Sequence, residues 1–218
     1  KNHLLIIFMK KIDFGFIQGR MTIPPSKKTL QYFPQKNWKK EFLYAKRNNF
    51  QFIEYFGERN FNKYNPIWNL KKLKEINILV KKNNLINYSF CDDFFIKKNL
   101  VLFKGIENYY DIITKNLSII KIKIYVLALF EKSLINKKNF RNYVCVLQVI
   151  CEKLAVHNIK LALEVDLDAS SINKLIKLIN KKNIFIVYDT GNRLKSKNLQ
   201  YKEIIKLKKH ICHIHLKD

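Results

Sequence analysis

Seven short apolar runs, alternating with segments of helical period, constrain this 218-residue chain more than any other feature. The runs cover residues 12–17, 50–56, 85–91, 122–130, 159–165, 184–189 and 211–216. Between them, residues 39–48, 70–82, 106–119, 140–157, 170–179 and 199–208 read as helices. Leu70, Leu73, Ile76 and Val80 would form the apolar stripe of the second helix. Ser170 or Ser171 would cap the fifth, whose buried face is Ile172, Leu175, Ile176 and Ile179. Repeated strand–helix alternation predicts parallel strands joined by right-handed helical crossovers.

An open doubly wound sheet and a closed barrel both satisfy that pattern. Gly15 and Gly19 do not make a GxGxxG motif after the first strand, so a dinucleotide-binding sheet loses support. Seven strands ending on a strand are one unit short of an eightfold barrel, and the chain is shorter than the usual length of about 250 residues. The expected fold class is therefore α/β, a (β/α)8 TIM-barrel type with seven strands present and the eighth βα unit missing. Residues 1–8 are set aside as an upstream extension, leaving 9–218 as one incomplete barrel domain. The long loop 20–37, with Pro24-Pro25 and Pro34, is expected to cover one end of the sheet.

The formal charge of +25 invites a nucleic-acid reading. The basic residues are dispersed as pairs, however, such as Lys39-Lys40, Lys81-Lys82 and Lys181-Lys182, with no basic block interleaved with aromatics. Scattered lysines belong on solvated helix faces, so no specific nucleic-acid partner is expected. No apolar run reaches the roughly 20 residues of a membrane span. Cys91, Cys145, Cys151 and Cys212 have neither CxxC nor zinc-finger spacing, which fits reduced cysteines in a cytoplasmic protein.

Chemistry concentrates where strands end. Glu164 closes the fifth run and Asp189 the sixth, while His213 and His215 lie near the end of the seventh. Glu164, Asp189 and His215 are 25 and 26 residues apart, about one βα unit each. Three consecutive strands thus deliver two carboxylates and an imidazole to the rim where barrel active sites form. Oxygen ligands plus one imidazole suit Mn²⁺ or Mg²⁺, with Co²⁺ or Zn²⁺ as alternatives.

Leu161-Ala162-Leu163-Glu164, Tyr188-Asp189-Thr190-Gly191-Asn192 and His213-Ile214-His215-Leu216-Lys217-Asp218 resemble the strand-end motifs of xylose isomerase-like TIM barrels. The sugar-phosphate isomerase/epimerase group is the nearest in pattern. Gln18-Gly19-Arg20-Met21, Pro24-Pro25, Gln31-Tyr32-Phe33-Pro34, Ile53-Glu54 and Cys91-Asp92-Asp93-Phe94-Phe95 agree with it. The resemblance implies that Glu164, Asp189 and His215 ligate one divalent metal, and that Glu164 is also the catalytic acid/base. It places Glu54 and Asn192 along the substrate pocket. His213, on the same strand face as His215, is a second-choice ligand or substrate contact. Arg20 and Gln18 are candidate contacts for hydroxyl or phosphate groups.

The implied partner is a small sugar, sugar phosphate or related keto compound, and the implied reaction is proton transfer beside a carbonyl through an enediolate. A homo-oligomer is compatible with the sequence. The family's fourth ligand, a glutamate ending strand eight, has no counterpart here. Two other outcomes follow from the same pattern: an endonuclease-IV-like DNA-repair barrel, or a truncated barrel without activity. Against the endonuclease, Asn192 stands where a histidine would follow the strand-six Asp, and the third strand has no histidine.

Overall fold

The computed structural model describes residues 12–26, 31–194 and 200–217. The 1–8 extension and part of the 20–37 loop lie outside them. Seven strands run parallel in the order of the sequence: β1 Gly15–Ile17, β2 Phe52–Gly57, β3 Ser89–Asp92, β4 Ile124–Leu129, β5 Lys160–Val165, β6 Ile184–Asp189 and β7 Ile211–His215. The helices are α1 Lys40–Arg47, α2 Leu70–Lys82, α3 Ile106–Ile119, α4 Phe140–Ala155, α5 Ala169–Ile179, α6 Thr190–Arg193 and α7 Gln200–Leu207.

The sheet is curled. Strands about 4.8 Å apart would leave β2 and β7 of a flat sheet roughly 24 Å apart. Yet Glu54 of β2 and His215 of β7 meet through their side chains at 2.9 Å. An incomplete (β/α) barrel, with β1 and β7 as its edges, satisfies both observations. Its apolar residues fall into two layers. Phe56, Cys91, Ile124, Val126, Ala162 and Val187 fill the interior, and a larger cluster packs strands against helices. Alternation along each strand makes this division, since neighbouring side chains take opposite faces.

Local details depart from the sequence expectations for identifiable reasons. Leu70 is 57% exposed, because α2 begins there and its packing stripe starts at Leu73. The cap of α5 is Asp168, not Ser170 or Ser171. Asp168 accepts from the Ser171 backbone N–H and from its hydroxyl, both at 2.9 Å. The first strand is shorter than expected, with Ile12 and Phe14 exposed before it. In the following loop Gly19 has φ +95°, and a Cβ there would lie 2.2 Å from the Tyr32 carbonyl oxygen. Only glycine permits that crossing. The described part of the loop is tied back by Tyr32, whose hydroxyl donates to the Ile23 carbonyl. No helix among the described residues is long and apolar enough to cross a membrane.

Candidate active site

Three strand ends converge as the spacing requires. Register pairs Ala128 with Glu164 across β4 and β5, and Asp189 with His215 across β6 and β7. His215 Nδ1 lies 3.5 Å from Glu164 Oε2 and 3.7 Å from Asp189 Oδ2. One ligand atom from each residue falls within 4.8 Å of the others, and all three residues are buried.

The other nitrogen of His215 is fixed from behind. Nε2 lies 2.9 Å from Glu54 Oε1, and His213 Nε2 lies 2.9 Å from Glu54 Oε2. Glu54 is 1% exposed, so its two oxygens face the two imidazoles rather than open space. A carboxylate behind an imidazole sets its tautomer and aims the opposite nitrogen at the ligand position. Glu54, His213 and His215 also form a second group with ligand-like geometry. Its contacts are at hydrogen-bond distance, which fits an acceptor shared by two rings.

The electrostatics call for a cation. Burial disfavours the charged form of His215, but the attraction of Glu54 and bonds to Asp189 and Glu164 outweigh it and push its pKa up to about 12. The same imidazole holds Glu54 far below the usual carboxylate range despite burial. Asp189 is likewise lowered: its burial is outweighed by His215, Lys217 and the Asn192 N–H. Lys217 Nζ sits 2.5 Å from Asp189 Oδ2. The carboxylates thus draw positive charge toward them, and a donor set of two carboxylates and one imidazole nitrogen fits a divalent cation.

Asn192 completes the rim. Its backbone N–H donates to Asp189 Oδ1 and its amide to Glu164 Oε1, both at 2.8 Å. The turn that delivers it requires Gly191, where a Cβ would lie 2.8 Å from Lys217 Cβ. Thr190 Oγ1 accepts from the Lys217 N–H and donates to the His215 carbonyl, tying α6 to the end of β7.

The first strand contributes less than expected. Gln18 is 1% exposed and lies beside Glu41 of α1, on the helix side of the sheet. Glu41 accepts from the Gly19 N–H at 2.7 Å, and burial pushes its carboxyl up to about 7. Arg20 is exposed and is not joined to the three-residue cluster.

Four residues at or near the site were given no role by the sequence. Lys217 was legible by parity, since residues 213, 215 and 217 share one strand face. Asp93 directly follows β3, near the same rim as Glu164 and Asp189. Arg193 and Glu203 form a buried ion pair between α6 and α7, at 2.7 Å. Nothing local distinguishes that arginine from the chain's many other basic residues.

No sequence-family model and no curated protein matches the chain. Several solved structures share its fold. D-allulose 3-epimerase from Methylomonas sp., in complex with D-allulose, aligns at TM-score 0.73 and 14% identity, over 97% of this chain and 74% of that one. A probable 3-DHS dehydratase from Bacillus anthracis aligns at 0.70 and 16%, over 95% and 73%. An AP endonuclease of family 2 from Brucella melitensis aligns at 0.65 and 15%, over 94% and 78%. At such identities the likeness speaks for architecture alone, and that architecture is an α/β barrel of TIM type with seven parallel strands among the described residues.

Proposed function

We propose that the chain belongs to a divalent-metal-dependent isomerase or epimerase acting on a small ketose, a sugar phosphate or a related keto compound. The observation that carries this reading is the convergence of Glu164, Asp189 and His215 from three consecutive strand ends, with Glu54 behind the imidazole. In it, Glu164, Asp189 and the Nδ1 atom of His215 hold one ion, Mn²⁺ or Mg²⁺ by ligand type. When bound, the ion supplies Lewis-acid stabilisation of negative charge developing on substrate oxygens. Glu164 takes the carbon-bound proton beside the carbonyl. Asn192 orients Glu164 through its amide, and Lys217 with Thr190 holds the end of β7 in register. His213 is a proposed substrate contact, as is Arg20 at the mouth. Epimerases of the same fold have been solved with D-fructose, D-tagatose and D-allulose, which are the first substrates to try.

The test has two parts. Mn²⁺ should bind with a stoichiometry of one, read by electron paramagnetic resonance and by an upward shift in melting temperature. Ketose in D₂O should then exchange its proton beside the carbonyl, read by NMR. Absence of both would sink the proposal. Three zinc ions per chain by elemental analysis would favour the endonuclease reading instead.

Glu54→Gln supplies a sharper check on the imidazole. The amide retains the shape of Glu54 but not its charge, so Mn²⁺ affinity is expected to fall roughly 10–100-fold. An unchanged dissociation constant would mean that Glu54 does not set the His215 ligand geometry.

A further inference from the structure

The rim that carries Glu164, Asp189 and His215 continues over the ends of β1, β2 and β3, where the structure holds a cavity of about 590 Å³. That volume lies within the usual range for small-molecule sites. Three loops build it. Tyr32 comes from the loop after β1, Arg59, Lys63 and Tyr64 from the loop after β2, and Lys97 from the turn after β3. Phe56 also lines the cavity and belongs to the interior cluster. It shares the inner face of β2 with Glu54, two residues and about 7 Å away. Glu54 in turn meets His215 at 2.9 Å. One pleat of β2 therefore separates the lining of the cavity from the residue that backs the imidazole.

The charges of the lining are unequally engaged. Arg59 is committed: its Nη1 is 2.8 Å from Glu131 Oε1, and its Nε is 3.8 Å from Asp93 Oδ2. Lys63 and Lys97 are not. Lys63 Nζ lies 5.2 Å from the centre of the Tyr64 ring, a contact that orients an ammonium without neutralising it. Lys97 forms no ion pair among the described residues. The carboxyl in the lining is that of Glu58, which burial pushes up toward its neutral form, with Asn62 and Asn65 against it. Scattered lysines belong on solvated helix faces, but these two come from separate loops and line one cavity beside the exposed rings of Phe61 and Tyr64.

We propose that this cavity receives the end of the substrate remote from its carbonyl, and that Lys63 and Lys97 select an anionic group there, a phosphate monoester or a carboxylate. The inference rests on the isomerase/epimerase reading above and names its substrate class, a ketose charged at its far end in preference to a neutral sugar. An ammonium serves either group as a compact point charge. The two lysines bind and place the substrate, and no bond to carbon is made or broken at them.

The test titrates the full chain, at saturating Mn²⁺, with ligands that share a keto end and differ at C6: D-fructose, D-fructose 6-phosphate and D-fructuronate. Calorimetry at an ionic strength of about 0.15 M should show at least one anion binding roughly tenfold or more tighter than D-fructose. A tighter phosphate makes the natural end group a phosphate ester, and a tighter carboxylate makes it a sugar acid; either supports the proposal. Lys63→Met with Lys97→Met should weaken the anion roughly 10–100-fold and bring its advantage over D-fructose to about threefold or less. Lys81→Met with Lys82→Met removes the same charge from the last turn of α2, which leads into β3, and should keep the advantage. Equal binding of all three ligands overturns the proposal. So does an advantage that survives the loss of Lys63 and Lys97, or one that falls equally in both double variants, which would assign it to the overall charge of +25. Mn²⁺ binding and proton exchange in wild type without an anion advantage fail this inference alone. Absence of both, with all three ketoses, fails the parent reading and with it the substrate role given to the cavity.

Discussion

Glu164→Gln is expected to slow exchange of the ketose proton roughly 10²–10⁴-fold at saturating Mn²⁺. The amide is nearly isosteric, and its oxygen can still accept from Asn192, which holds Glu164 Oε1 at 2.8 Å. What disappears is the basic lone pair and the negative charge at Oε2, 3.5 Å from His215 Nδ1. Metal affinity should fall as well, because a charged ligand becomes a neutral one, so exchange must be compared at saturation. The loss should appear in kcat more than in KM, since the lost interaction develops during proton transfer. NMR in D₂O reads the rate, and the Mn²⁺ titration sets the saturating concentration. Exchange within threefold of wild type would remove Glu164 as the base.

The contrast between Glu164 and Glu54 marks how much of the site was legible in sequence. Glu164, Asp189 and His215 share one signature, a polar residue closing an apolar run at one-unit spacing. The pairings of β4 with β5 and of β6 with β7 turn that spacing into proximity. Glu54 also lies in an apolar run, but its partners are 159 and 161 residues further on, and only the curl of the sheet brings them together. No periodicity encodes that closure. The surroundings of Gln18 were illegible for the opposite reason. It lies next to a rim position in sequence, yet strand alternation turns it toward Glu41 and the helix layer.

The fold was more legible than the site because each of its signals is local. The bounds of α2, α3 and β6 follow directly from their apolar periods. Short elements carried less information. The four residues of α6 show no helical period, and Asp189 caps them through its bond to the Asn192 N–H while also facing His215. One side chain serves both the helix start and the rim, so the turn was legible as chemistry and not as structure.

Stability should depend most on a pair the sequence did not advertise. Arg193 is 8% exposed and Glu203 3% exposed, with Nη1 and Oε1 2.7 Å apart. Arg193 also donates to the carbonyls of Leu167 and Val165, just beyond Glu164, and Tyr188 adds its hydroxyl to Glu203. Glu203→Ala would leave a buried guanidinium with neutral acceptors only, at a cost of about 3–5 kcal/mol. For a chain of this size that lowers the melting temperature by roughly 10 °C. Glu203→Gln keeps a hydrogen-bond acceptor and should lose less. Arg193→Met with Glu203→Leu removes both charges and should recover much of the loss, because the penalty lies in the unpaired charge more than in the missing bond. Thermal and urea unfolding of the three variants distinguish these cases. Since Arg193 follows Asn192 and grips the chain after Glu164, Glu203→Ala should also weaken Mn²⁺ binding without touching a ligand. A loss below about 1 kcal/mol would mean that water reaches the pair, and that the ends of β5 and β6 are held together by Asn192 alone.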